Sequence, residues 1–86
     1  MNINELIANV KKKLKAIIKI EDLHIEDKSF LHKNHLGNQK GKFHLKISIQ
    51  SIELKNMTKI EANKTVYKAL DEEMKKHIHS LQILII

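Results

Sequence analysis

Cysteine, proline, tryptophan and arginine are all absent from this 86-residue chain. Without cysteine there is no disulfide framework, no thiolate zinc finger and no cysteine nucleophile, and a reducing compartment fits such a composition. Without arginine, the forked pairing with phosphate and the two-bond reading of guanine edges lose their usual residue. One tyrosine and two phenylalanines leave no stacking platform for single-stranded nucleic acid. No apolar run approaches the roughly 20 residues that span a bilayer. The opening MNINELIANVKKKLK has neither the apolar stretch nor the small-residue cleavage site of a secretory signal. These absences predict a cytoplasmic protein with no membrane contact. The length predicts a single domain over residues 1–86, near the size at which one core only just suffices.

What is present is lysine. All sixteen basic residues are lysines, and the net charge is +6. Lysines hold a phosphate backbone by salt-sensitive attraction without reading sequence, and codon bias alone yields a chain this rich in lysine, asparagine and isoleucine. The charge therefore permits nucleic acid binding without specifying it.

Ile3, Leu6, Ile7, Val10, Leu14 and Ile17 recur at steps of three and four and predict an amphipathic helix of about four turns, with Asn2 and Glu5 as its capping box. DLHIEDKS alternates Leu23 and Ile25 with His24 and Glu26, as a half-buried strand does. FHLKISIQ is the clearest strand. Phe43, Leu45, Ile47 and Ile49 share one face, and His44, Lys46, Ser48 and Gln50 share a face expected to meet solvent. The two strands are expected to pair antiparallel. ELKNMTK fits a short turn of helix, and from Thr58, capped with Glu61, the positions Ala62, Val66, Leu70 and Met74 step by four along a long helix. SLQILII is expected to be a strand buried within the sheet. The order predicts an α+β two-layer domain, three strands with helices on one face.

Six histidines stand out, three of them in SFLHKNHLGNQKGKFH together with both glycines. His32 and His35 have the spacing of metal ligands, and ordinary polar loops have it too. His32, His35 and His79 with a water would complete a mononuclear zinc site only if the loop folded back onto the junction before the last strand. His79 alone has a plainer use as a cap on a helix C-terminus. His24 and His77 read as ordinary surface positions. No motif supplies the positioned base and oxyanion donor that hydrolysis needs, so no catalytic residue is assigned and the chain is expected not to be an enzyme.

Four motifs in order carry a resemblance that covers essentially the whole chain. DKSFLHKNHLG is similar to the D-x-S-x-x-H-x-x-H-x-G loop of the BolA family. FHLKISIQS is similar to its H-F-x-V-x-I-V-S strand, with His44 on the family histidine. TVYKALDEEM resembles the long-helix core, and HIHSL the closing H-A-L signature, with His79 on its histidine. The resemblance implies an α-β-β-α-α-β chain with a three-stranded mixed sheet, a class II KH-like topology. It also implies a partner, a monothiol glutaredoxin, with which a 2Fe-2S cluster is held jointly together with glutathione. The chain would then be a monomer without cofactor when alone and a heterodimer with its partner.

Carried over residue by residue, the implied iron ligands are His79 and one loop histidine. Counting from Ser29 selects His32, and counting back from Gly37 selects His35. His44 is left as an outer-shell group. The family's alternative role is DNA-binding regulation linked to cell shape and stress, for which Lys59, Lys64 and Lys68 on the long helix are the candidate contacts. Two departures bear on it. The family's F-x-G is here Leu54-Lys55-Asn56, and its R-H-R is Ala62-Asn63-Lys64, so the residues most associated with nucleic acid contact are missing.

Overall fold

The computed structural model describes residues 2–29 and 42–86, and the sequence-predicted loop ligands His32 and His35 lie outside that range. Helix α1 (Ile3–Ile17) opens as its sequence predicts: the Asn2 side chain accepts from the Glu5 amide at 2.8 Å and donates to the Glu5 carboxylate at 3.0 Å. Leu6, Val10 and Leu14 are buried. Ile17, expected on the same stripe, is 57% exposed. The helix ends there, and the extended backbone of the next residue turns the side chain of Ile18 into the core instead.

Strand β1 (Asp22–Asp27) stops two residues earlier than its alternating pattern, because the Asp27 carboxylate accepts from the Ser29 amide at 2.9 Å and turns the chain. Strand β2 (Phe43–Gln50) pairs antiparallel with β1 in the register Ile25 to Ile47. A short helix α2 (Ile52–Lys55) follows. The Ser51 hydroxyl caps α2 at Leu54 and donates to the Lys19 carbonyl, while the Glu21 carboxylate accepts from the Ile52 amide. These contacts fasten α2 to the α1–β1 connection.

The long helix divides into α3 (Lys59–Ala69) and α4 (Asp71–Lys76), broken at Leu70 with backbone angles of −104° and 20°. Thr58 caps α3 through the Glu61 amide, as its sequence predicts. Steps of four drift by about 40° each, so Met74 stands about 120° round the helix from Ala62, whereas Glu73 returns to within about 20° of it. Ala62, Val66 and Leu70 are buried, Met74 is only half-buried, and Glu73 takes an inward position at 4% exposed. Its carboxylate pairs with Lys13 of α1, and the neighbouring Glu72 bonds both Lys13 and Lys76. Lys13 thus clamps α1 to α4.

Strand β3 (Ile78–Ile85) lies parallel to β2, giving the order β1-β2-β3 and a mixed sheet. The helices cover one face, where Leu45, Ile47 and Ile49 of β2 join Leu6, Val10, Leu14, Val66 and Leu70 in one core. Two expectations are corrected here. The last strand is an edge strand with alternating burial, not one enclosed by the sheet, because three helices between β2 and β3 carry the chain to the outer side of β2. His44 lies on the face expected to meet solvent and yet is 3% exposed.

Two stability predictions follow from this packing. Leu14→Ala should lower the unfolding free energy by about 3 kcal/mol through the cavity it leaves. Ile17→Ala should change it by less than about 0.5 kcal/mol, and urea denaturation measures both. The Glu72 carboxyl is held below its usual 4.5 by hydrogen bonds from Lys76 and Lys13, and Glu26 likewise by Lys28. A lowered folded-state value means that the unfolded chain binds more protons. The stability from these contacts is present above the ordinary carboxylate range and is lost as pH falls through the folded values. Acid titration followed by circular dichroism should show this loss, and added salt should diminish it.

Candidate functional site

The site begins as a problem of strand phase. Ile78 must face the core, and so must Leu81, Ile83 and Ile85, yet a regular strand alternates faces at every residue. Ile78 and Leu81 are three apart and cannot share a face in an unbroken ladder. The pairing resolves this with a β-bulge: Phe43 lies opposite Ile78, and His44 lies opposite Ser80, so His79 is the extra residue. A bulge leaves its additional residue out of register and re-aims its side chain. Here it points the exposed imidazole of His79 toward His44, with ring centroids 5.0 Å apart and planes inclined at 59°.

His44 is held more firmly than its partner. Its amide donates to the Ser29 hydroxyl at 3.1 Å, and its carbonyl accepts from the Lys28 amide at 2.7 Å. On the other side, the Phe43 amide donates to the His77 carbonyl at 2.8 Å, joining β2 to the turn between α4 and β3. The result is one buried, backbone-clamped imidazole beside an exposed one on an edge strand. An exposed imidazole offers a nitrogen lone pair to a metal or a proton donor, and a buried neighbour limits the orientations its ring can take.

Of the sequence-predicted residues, the structure brings His44 and His79 together, and it places His24 and His77 elsewhere. His24 lies on β1, beside Glu26 at 3.4 Å. Among the described residues, no three histidine, aspartate or glutamate side chains gather as a metal-binding group. The donor chemistry at the bulge, among the described residues, is the exposed imidazole of His79 beside the buried one of His44. The lysines Lys59, Lys64 and Lys68 are all exposed on α3. Lys64 and Lys68 are a turn apart, but Lys59 lies about 140° round the helix from Lys64, so the three do not form one basic face.

Sequence reasoning missed the bulge, although the signal was present: the apolar spacing changes from three (Ile78 to Leu81) to two (Leu81, Ile83, Ile85). It also missed Glu73, one of three carboxylates opening α4, although its spacing from Val66 and Leu70 sets it on the same helix face as Ala62 and Val66.

Fold and site together define a small mixed-sheet α+β domain with a pair of imidazoles at the bulged end of its edge strand. Residues 14–86 match the family described as BolA-like protein, and the chain belongs to that family. It is 30% identical over 83 residues to the DNA-binding transcriptional regulator BolA of Haemophilus influenzae, covering 96% of this chain and 75% of that one. Among solved structures, the BolA domain of SufE1 from Arabidopsis thaliana superposes with a TM-score of 0.78 at 21% identity, over 99% of this chain and 92% of that one. BolA1 from the same plant superposes with a TM-score of 0.76 at 26% identity, over 91% and 86%.

The bulge generates a prediction. Deleting His79 leaves Ile78, Leu81, Ile83 and Ile85 in simple alternation with Ser80, Gln82 and Leu84. That variant should keep the fold, with amide shifts outside the bulge preserved. Deleting Gln82 instead turns Ile83 and Ile85 to the outer face, sets Leu84 and Ile86 inward, and should lower the thermal midpoint more than deleting His79 does.

Proposed function

We propose that this chain is a non-catalytic adaptor that docks a monothiol glutaredoxin and contributes His79 to a 2Fe-2S cluster held jointly with the partner and glutathione. The observation that carries the reading is the bulge. It spends the one irregularity of the β2–β3 ladder on presenting an exposed histidine at a sheet edge, against a buried histidine that orients it. Family membership supports it, and so does the donor set. A chain without cysteine holds such a cluster only if another molecule supplies the thiolates.

In this reading His79 is a ligand, and either His32 or His35 is the second one from this chain. A histidine in place of a thiolate raises a cluster's reduction potential. The other residues act on His79 and not on iron. His44 limits the ring's orientation, and the Ser29 hydroxyl and Lys28 amide hold His44 in register. The task is then trafficking of the cluster or iron regulation, in the cytoplasm.

Titration of the purified chain into cluster-loaded monothiol glutaredoxin tests this. The visible absorption and circular dichroism of the cluster should change and saturate at one chain per cluster. His79→Ala should abolish the change while leaving the thermal midpoint within a few degrees, and His32→Ala and His35→Ala should differ from each other. An unchanged spectrum, or a change that survives His79→Ala, defeats the ligand role.

A second reading, a nucleic-acid-binding transcriptional regulator, is favoured by the similarity to the Haemophilus influenzae relative, a DNA-binding transcriptional regulator. It would use Lys59, Lys64 and Lys68. Without arginine, and with these lysines spread round α3, the expected outcome is duplex binding that is lost between low and moderate salt whatever the sequence. Retention of a sequence preference at physiological salt would favour the regulator.

A further inference from the structure

The sheet has two edges, and only one of them is guarded. Exposed edges usually carry charges that discourage another strand from pairing. β1 follows this rule with Asp22, Glu26 and Asp27. β3 reads IHSLQILI and carries no lysine, aspartate or glutamate.

The hydrogen bonds show which backbone groups of β3 face outward. The Ile86 amide donates to the Ile49 carbonyl at 2.8 Å, so Ile86, and by alternation Leu84, directs its peptide groups toward β2. The peptide groups of Leu81, Ile83 and Ile85 therefore point away from the sheet. One outward carbonyl, that of Leu81, accepts from the Tyr67 hydroxyl at 3.2 Å. Farther along, β3 borders a groove of about 320 Å³. Leu54, Met57 and Ala62 of the helical side form its apolar wall, and Ile83 and Ile85 form its strand side. Leu84 on the strand is 47% exposed. Lys55 and Lys59 also line the groove, and no carboxylate does. Neither lysine makes a salt bridge among the described residues.

We propose that this edge is a docking site for an extended acidic peptide segment of another protein, which adds as a fourth strand beside Ile83–Ile85. Outward amides and carbonyls provide the ladder, as in other cases of strand addition. The groove takes alternate apolar side chains, and Lys55 and Lys59 meet carboxylates. Charge selects this occupant over a second copy of the chain. Pairing β3 with β3 would bring together two molecules of net charge +6 and place two sets of groove lysines side by side. The site is separate from the imidazole pair: six residues of extended chain put Ile85 about 20 Å from His79.

The test uses the full chain and a fluorescent peptide of about eight residues alternating glutamate with valine. Binding should perturb the amide shifts of Leu81, Ile83 and Ile85 and weaken with salt. Methylating the peptide's ladder-forming amide nitrogens, which removes donors without altering any protein residue, should weaken it by about tenfold or more. Exchanging its glutamates for lysines should abolish binding. Lys55→Glu with Lys59→Glu, both at exposed positions, should weaken the acidic peptide by about tenfold, while His79→Ala should leave its affinity unchanged. The proposal is overturned if the methylated peptide binds as well as the parent, or if the double lysine variant has no effect. It is equally overturned if the chain dimerises through this edge in sedimentation experiments and excludes the peptide.

Discussion

The parallel pairing of β2 with β3 is the constraint on which the rest of this molecule depends. It closes the core by setting Leu81, Ile83 and Ile85 beside Leu45, Ile47 and Ile49 under the helices. Parallel pairing needs a crossover, and α2, α3 and α4 form it. Because Ile78 must also face inward, the ladder has to lose one residue of phase between Ile78 and Leu81. The bulge at His79 is that loss. The feature that makes the small core continuous therefore also makes the histidine available.

The same economy runs through the helices. Along α3 and α4 the inward positions are Ala62, Val66, Leu70 and Glu73, and Met74 is left half-buried. Glu73, on that inward face, meets Lys13, which ties α1 to α4 directly before the strand that carries His79. An ion pair in such a place adds little net stability relative to apolar packing, but it penalises any arrangement that leaves the buried carboxylate alone. It thus fixes how the last helix, and so the start of β3, sits on α1.

β3 also concentrates the surface chemistry. One end offers an imidazole on a bulge. The other offers outward peptide groups beside an apolar groove rimmed by Lys55 and Lys59. Along this edge the described residues leave both outward peptide groups and apolar surface open. The guarded β1 edge makes the contrast internal to the molecule.

Much was legible in the amino-acid sequence, because local rules decide it. Asn2 and Thr58 cap helices by bonding an amide three residues on. Leu6, Val10 and Leu14 lie on one helix face by their spacing. Phe43–Gln50 is a strand by its alternation. His79 was singled out by its place in a motif at a helix–strand junction. What the sequence alone could not decide were relations between distant segments. Whether β3 lies inside the sheet or at its edge depends on where three helices deliver it. Whether His44 is open or buried does not follow from its own strand's alternation, which sets it on the outer face. Whether Glu73 finds a partner depends on α1 bringing Lys13 to it from sixty residues earlier. Side-chain spacing acts over one helical turn or one pleat, whereas burial is set by whatever the chain brings back from far away. For that reason the sequence determined the elements and nominated the histidine, and only the tertiary structure decided which neighbour that histidine has.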